Sequence, residues 1–145
     1  MIVTFCGHSS FDRRDGEYGL FEILCNEIKG EPVDFYIGGY GAFDDYAMNV
    51  VLEYKKKFAN AKVYFVTPYL SEKYSKLKLF SNRVDEVIYP SLEKVPSKLA
   101  IIKRNEWMIK KADLIIAFVK YSWGGARISF DYAKRLKKKI INLGE

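Results

Sequence analysis

Two glycine-rich stretches are the part of this sequence best suited to bind an anion. They are Gly38-Gly39-Tyr40-Gly41 and Ser122-Trp123-Gly124-Gly125, and each lies between an apolar run and a pattern of helical spacing. Glycines at such a place leave backbone N–H groups uncovered at the start of a helix, where the helix dipole also attracts negative charge. The alternative is a pair of tight turns that need positive φ angles. Because two such turns occur, we favour one small phosphate-bearing ligand.

Other chemistries fit the sequence less well. Neither glycine stretch is a GxGxxG fingerprint or carries the lysine of a Walker loop, so we expect neither NAD-dependent nor ATP-hydrolysing chemistry and no cofactor. One histidine and two scattered cysteines cannot supply the usual ligands of a metal, so we expect no metal site. Cys6 and Cys25 fall within apolar patterns and are interpreted as reduced core residues. Asp44 and Asp45 place negative charge beside the first glycine turn, and a helix-capping role is favoured for at least one of them.

A third turn of small residues, Gly7-His8-Ser9-Ser10, follows the first apolar run. In open parallel sheets the ligand crevice lies outside the carboxyl ends of the strands. Gly7, His8 and Ser9 are therefore candidate ligand contacts, with Arg13 and Arg14 reaching in from the same loop. For His8 alone, a structural or solvent-facing role is the alternative.

Strands and helices alternate throughout the chain. With 145 residues, 49% of them hydrophobic, it has the length of one domain and enough apolar material for a core. The strands are too apolar to face water, which predicts an α/β fold, a three-layer α/β/α sandwich with a mainly parallel sheet. We predict strands at 2–6, 33–37, 62–67, 84–89, 114–119 and 139–143, and helices at 19–28, about 46–58, 71–80, from 97 to about 111, and 127–138.

The charge is compatible with an anionic partner of any size. The formal net charge is +6, but much of the excess lies in two lysine runs, 55–57 and 137–139, at the carboxyl ends of predicted helices, where cations meet the helix dipole. Nucleic acid is therefore not the partner we expect. The amino terminus lacks a signal h-region and no apolar run approaches membrane-spanning length, so we expect a cytoplasmic protein without a membrane partner.

The sequence resembles the SLOG superfamily over nearly its whole length. This Rossmann-like group includes the Lonely Guy cytokinin-activating phosphoribohydrolases, the DprA-type DNA-processing proteins and small standalone bacterial and phage proteins. In the phosphoribohydrolases a glycine-rich turn follows the second strand, as Gly38-Gly39-Tyr40-Gly41 does here. An arginine–lysine pair, a methionine and a Ser-Asp step come later, where this chain has Arg104-Asn105, Met108 and Ala112-Asp113. The resemblance implies a single Rossmann-like domain over 1–145.

The resemblance also implies roles for individual residues. The family's PGGxGTxxE turn places its glutamate where this chain has Asp131, which would stabilise an oxocarbenium-like centre or position water. Arg104 would hold ribose or the leaving base, and Arg127 would add positive charge beside the phosphate turn. Related families often assemble their sites at dimer interfaces, so a homo-oligomer, a dimer or larger, is compatible with the resemblance. The residues that would cradle the 5′-phosphate are Gly38, Gly39, Gly41, Gly124 and Gly125.

Three functional hypotheses follow. The first is a module that binds a nucleotide or a nucleotide-derived small molecule, with His8, Tyr40 or Trp123 near the base. The second is an N-glycosidase that releases the base from a nucleoside 5′-monophosphate, with Arg104 and Asp131 carrying catalysis. The third and weaker one is single-stranded nucleic-acid binding, suggested by the net charge and the resemblance to DprA. The sequence alone does not decide whether the protein is an enzyme.

Overall fold

The computed structural model describes residues 1–12 and 18–144, in which strands and helices alternate as predicted. The strands are β1 Ile2–Gly7, β2 Val33–Ile37, β3 Ala61–Val66, β4 Glu86–Ile88, β5 Leu114–Phe118 and β6 Lys139–Asn142. The helices are α1 Leu20–Ile28, α2 Ala42–Lys57, α3 Ser75–Ser81, α4 Ala100–Lys111 and α5 Gly125–Arg135.

The largest differences from the predicted bounds lie at element ends. The helix predicted from Ser97 starts as a 3₁₀ turn, Ser97–Leu99, before α4 begins. The predicted strand 84–89 is reduced to β4, because this edge strand pairs with β3 only from Glu86 to Ile88. Helix α2 begins at Ala42, about four residues before its predicted start, and α3 begins at Ser75, four residues after its predicted start. Helix α5 begins at Gly125, two residues before its predicted start.

The sheet has six strands in the order β4-β3-β2-β1-β5-β6, and all neighbouring pairs are parallel. This confirms the predicted α/β fold. The chain lays β2, β3 and β4 on one side of β1 and then crosses to place β5 and β6 on the other. The carboxyl ends of β1 and β5 therefore flank the point where the strand order reverses, which is where open α/β sheets bind ligands.

Helices cover both faces of the sheet. Helices α1 and α2 pack on one face around a core that contains Phe35, Tyr54 and Phe65, while α4 and α5 cover the other face with Ile109 and Phe130. Alternate residues of β1 and β5 enter opposite cores, so these central strands are apolar on both faces. Three layers result, as predicted.

Both glycine turns emerge at the carboxyl edge of the sheet. Gly41 precedes α2 with φ 90°, and Gly124 precedes α5 with φ 94°. Glycine adopts these positive φ angles without the steric cost that a side chain brings. No helix within residues 1–12 and 18–144 has both the length and the apolar character to cross a membrane.

Candidate functional site

A cleft of about 450 Å³ opens at the carboxyl edge of the sheet, between the ends of β1 and β5. Its walls come from the loop after β1, the start of α2, the first turns of α4, and the loop that leads from β5 into α5. Seven of the sequence-predicted site residues line it, namely Gly7, His8, Ser9, Tyr40, Trp123, Gly124 and Gly125. Arg13 and Arg14, which we expected to reach toward the ligand, lie outside the described residues.

The amino terminus of α5 is open to this cleft. A Cβ added at Gly124 or Gly125 would meet no atom within 4 Å. The first hydrogen bond of the helix runs from the N–H of Ile128 to the carbonyl of Gly124, at 3.1 Å. The N–H groups of Gly125, Ala126 and Arg127 consequently have no partner inside the helix. This uncovered positive end of the helix dipole can bind an anion.

The turn at Gly38-Gly39-Tyr40-Gly41 is more closed. The N–H of Tyr40 donates to Asp44 Oδ2 at 2.8 Å. The N–H of Ala42 donates to the carbonyl of Ser9 at 3.1 Å, which ties the start of α2 to the loop after β1. These two donors are therefore already used within the protein.

The glycines of that turn permit close packing. A Cβ at Gly38 would lie 3.0 Å from Arg104 Cζ, and one at Gly39 would lie 2.8 Å from the ring of Phe80. A Cβ at Gly41 would lie 2.6 Å from Ser9 Cα. Of this turn only Tyr40 lines the cleft. The structure thus gives Gly38, Gly39 and Gly41 a packing role and leaves the turn before α5 as the open one.

Asp44 brings a buried carboxyl group to the cleft. Its side chain is 8% exposed and lines the cavity from the first turn of α2. Burial raises the pKa of Asp44 to about 6, although the Tyr40 N–H and the Arg104 charge both act to lower it. A carboxyl group that changes protonation near neutral pH can accept hydrogen bonds from ribose hydroxyls or act as a general acid or base. Neither Asp44 nor Asp45 is the N-cap of α2, which is Gly41; both lie in the first turn, and Asp44 accepts the N–H of Tyr40 just before the helix.

Replacing Asp44 with Asn is expected to stabilise the protein, and by an amount that grows with pH. The folded pKa of about 6 exceeds the ordinary 3.8, so the unfolded chain releases this proton first, and stability falls as pH rises from 3.8 to about 6. Asn keeps an acceptor for Tyr40 and cannot ionise. The gain should approach about 3 kcal/mol above this window, for a shift of about two pKa units.

Urea unfolding of both proteins from about pH 4 to about pH 7 measures this difference. The exposed neighbour Asp45 offers the matched control, since Asp45→Asn removes a first-turn charge of the same helix and should change the free energy of unfolding by less than about 1 kcal/mol. A gain from Asp44→Asn that is equal at both ends of the range would contradict the shifted pKa.

His8 holds the loop that follows β5. Its Nε2 accepts the N–H groups of Lys120 at 2.9 Å and Tyr121 at 3.3 Å. An acceptor at Nε2 requires the neutral imidazole with its proton on Nδ1. Burial also favours the neutral form, because it lowers the pKa of His8. His8 therefore lines the cleft and also positions one of its walls.

The same loop carries an aromatic pair at the mouth of the cleft. The rings of Tyr121 and Trp123 stack with centroids 4.8 Å apart, and Tyr121 also packs on His8 at 4.7 Å. The Trp123 side chain remains 66% exposed. At the start of the loop, the side-chain amide of Asn142 accepts the N–H of Val119 and donates to the Val119 carbonyl, both at 3.0 Å. These two bonds fix the start of the loop. Ser122 is exposed within the loop and does not line the cleft.

Arg104 points into the protein. It is fully buried, and its Nη1 donates to the carbonyls of Gly38 at 2.5 Å and Val66 at 2.9 Å. These carbonyls stand at the ends of β2 and β3. Burial lowers the pKa of Arg104, while the nearby Asp44 charge acts to raise it. The Arg104 side chain does not line the cleft. It acts on the cleft through a neighbour that does, Asn105, whose side-chain oxygen accepts from the Nε of Arg104.

Asp131 lies outside the cleft as well. Its Oδ1 forms an ion pair with Arg127 Nε at 3.1 Å along α5, and the two side chains are 45% and 35% exposed. The carboxyl group in the cleft belongs instead to Asp44. The sequence signal for it was an acidic residue in the first turn after a glycine turn. Within the part of the chain that the structure describes, no group of three or more His, Cys, Asp or Glu could hold a metal ion.

Comparisons with known proteins support the fold. No protein-family model matches the sequence, and no curated protein sequence matches it. DNA processing protein A from Helicobacter pylori, solved to describe its single-stranded DNA binding mode, matches with a TM-score of 0.69 at 16% identity over 98% of this chain. The fold is similar to that of DNA processing protein A. The chain spans only 64% of that protein's length.

A second solved structure has a related fold. TM1055, a target of the Northeast Structural Genomics Consortium, matches with a TM-score of 0.54 at 15% identity, over 96% of this chain and 71% of that one. Both matches agree with the Rossmann-like fold that the resemblance to the SLOG superfamily implied. At such identities the likeness concerns the fold alone.

Proposed function

We propose that the protein binds a nucleotide or a nucleotide-derived small molecule in the cleft, with the 5′-phosphate at the amino terminus of α5. The observation that carries the proposal is the open backbone of Gly124 and Gly125, where the N–H groups of the first helical turn have no partner inside the helix. Its place beside the end of β1 is where this class of sheet binds ligands. The net charge of +6 favours an anion.

The rest of the cleft suits a nucleoside. Its volume of about 450 Å³ lies in the range of small-molecule sites. A carboxylate repels phosphate, so we assign the ribose hydroxyls to Asp44 and the phosphate to α5. Ser9 adds a hydroxyl to the same wall.

Isothermal titration calorimetry of the wild-type protein tests this proposal. The ligands are nucleoside 5′-monophosphates, ADP-ribose and cyclic dinucleotides, with the unphosphorylated nucleosides as controls. We expect binding of a 5′-phosphorylated ligand and a loss of about tenfold or more when its phosphate is removed, because charge-assisted hydrogen bonds are the strong ones. The absence of heat with every ligand at millimolar concentration would reject the proposal.

Hydrolysis of the N-glycosidic bond is a second candidate, which the elevated pKa of Asp44 favours. In this reaction water adds to the anomeric carbon, the bond from that carbon to the base breaks, and the base leaves with a proton. A carboxyl group with a pKa near neutral pH can take the proton from water or stabilise the cationic centre. This assigns to Asp44 the role that the resemblance placed on Asp131.

Chromatography of nucleoside 5′-monophosphates after long incubation detects the free base. Hydrolysis that is lost in Asp44→Asn would support the assignment. A loss in Asp131→Asn with activity retained in Asp44→Asn would return the role to Asp131. No free base with wild-type protein would leave binding as the function.

Single-stranded nucleic acid is the ligand that must be distinguished from a mononucleotide, since the Helicobacter pylori protein is described as binding single-stranded DNA. The exposed ring of Trp123 at the mouth of the cleft is the feature that a strand would use. We expect Trp123→Ala to lower the affinity for a strand by about 5- to 150-fold, the range found for loss of one stacked base, and to lower mononucleotide affinity less.

Fluorescence anisotropy at low salt, with a strand of about ten nucleotides, measures this effect. Leu136→Ala is the control, because Leu136 is 39% exposed at the opposite end of α5. Failure of the wild-type protein to bind the strand at low salt would exclude it as a ligand.

A further inference from the structure

Asn105 is a residue of the cleft wall whose side-chain amide has a fixed orientation. It lies on α4 and lines the cavity. The Nε of Arg104 donates to its side-chain oxygen at 2.8 Å. A guanidinium group can only donate, so the atom that it contacts must be the amide oxygen and the NH₂ group is the other end. This end of Asn105 can donate to a ligand but cannot accept from one.

Arg104 makes this donor rigid. Its Nη1 is bonded to the carbonyls of Gly38 and Val66, and its side chain is fully buried. Asn105 is thereby tied, through one neighbouring residue, to the ends of two strands. A polar group held in this way loses little entropy when a ligand binds.

The surroundings of Asn105 are those of a base-binding wall. Ile101 and Ile102, one turn earlier on α4, line the cleft with it and supply apolar surface. Apolar surface with a single oriented polar group is how small-molecule sites recognise a flat ligand and set its orientation. The phosphate and ribose positions proposed above lie on α5 and α2, which leaves the α4 wall for the base.

We infer that the base of the bound nucleotide lies against α4 and that Asn105 donates a hydrogen bond to a carbonyl oxygen on the base edge. The protein then prefers a 6-oxopurine nucleotide to the 6-aminopurine nucleotide. With a 6-amino group in that place, the NH₂ group of Asn105 and the amino group of the base would face each other as two donors, and neither would have an acceptor. The inference rests on the proposed nucleotide-binding function and adds to it the class of base.

The test compares inosine 5′-monophosphate with adenosine 5′-monophosphate, which differ in the 6-oxo and 6-amino groups. Calorimetry on the wild-type protein should show the inosine nucleotide binding about tenfold or more tightly. Asn105→Asp should reverse this ratio, because the variant replaces the donor with an acceptor of the same shape. The new carboxylate remains beside the buried Arg104, and thermal unfolding verifies that the variant is folded.

Asn49→Asp is the matched control. Asn49 is exposed on α2 and also accepts from an arginine, Arg83 Nη2 at 3.0 Å, but it does not line the cleft. The ratio of the two affinities should be unchanged in this variant.

The possible outcomes separate this inference from the proposed function. If the wild-type protein binds both nucleotides and Asn105→Asp leaves their ratio unchanged, or if the adenosine nucleotide is preferred by the wild-type protein, the inference is overturned and nucleotide binding stands. If neither nucleotide nor any other nucleotide tested binds at millimolar concentration, nucleotide binding is rejected and the inference falls with it.

Discussion

Replacement of Gly125 by Asp is expected to weaken binding of nucleoside 5′-monophosphates by about a hundredfold or more without loss of stability. The new carboxylate would stand where we place the phosphate, compete for the same N–H groups and repel the ligand. The fold can accept it, because a Cβ at Gly125 meets no atom within 4 Å. Helix α5 has no acidic residue in its first turn, and one there is worth about 0.3–1 kcal/mol in favour of the helix.

Calorimetry and thermal unfolding of the same sample measure both parts of this prediction. Ile128→Asp is the control, since Ile128 is 48% exposed three residues further along α5 and does not line the cleft. Unchanged affinity in Gly125→Asp would show that the phosphate does not bind at this helix end. An equal loss in both variants would show a general charge effect instead of a local site.

Replacement of Arg104 by Met is expected to lower the free energy of unfolding by about 3–5 kcal/mol, the cost of breaking a buried polar network on one side. The buried carbonyls of Gly38 and Val66 would lose their donor. Asp44 would lose the positive charge that acts to lower its pKa. Met has a similar length and is apolar, so the loss comes mainly from the polar contacts.

Urea unfolding gives the change in stability, and carbon-13 NMR of the Asp44 carboxyl group in the folded variant gives a second readout. We expect the pKa of Asp44 to move upward from about 6, because its compensating charge is gone. Arg83→Met is the control, since Arg83 bonds the exposed Asn49 and should cost less than about 1 kcal/mol. A variant of Arg104 as stable as the wild-type protein would contradict the positioning role.

Fold class followed from local patterns that a sequence displays directly. In the runs that become β1 and β5, most residues on each of the two faces are apolar. This pattern indicates strands that helices cover on both sides. The helical spacing between such runs then requires crossover connections and a parallel sheet. Only the ends of elements were displaced, as at β4, where pairing with a single neighbour limits the strand.

The cleft was predicted in part. Gly7, His8 and Ser9 meet Tyr40 and Gly124 in one cavity because all of them lie at or beyond the carboxyl ends of strands in a parallel sheet. Which glycine turn is open could not be read from the turns themselves. The carbonyl of Ser9 and the ring of Phe80, both distant in sequence, fill the space around the first turn.

The roles of the two aspartates also depended on contacts that the sequence pattern does not show. Asp44 and Asp131 both lie on helices that follow glycine turns, and the resemblance to the phosphoribohydrolases favoured Asp131. The structure turns Asp131 toward Arg127 and encloses Asp44 beside the cleft.

The amino-acid sequence by itself determined the succession of strands, helices and glycine turns, because periodicity and backbone preference act over a few neighbouring residues. Tertiary structure decided which turn keeps its N–H groups uncovered, which carboxyl group is buried in the cleft, and that Arg104 holds the ends of β2 and β3. The physical reason is that burial and hydrogen-bond satisfaction are set by contacts between segments far apart in the chain, as between Gly38 and Arg104.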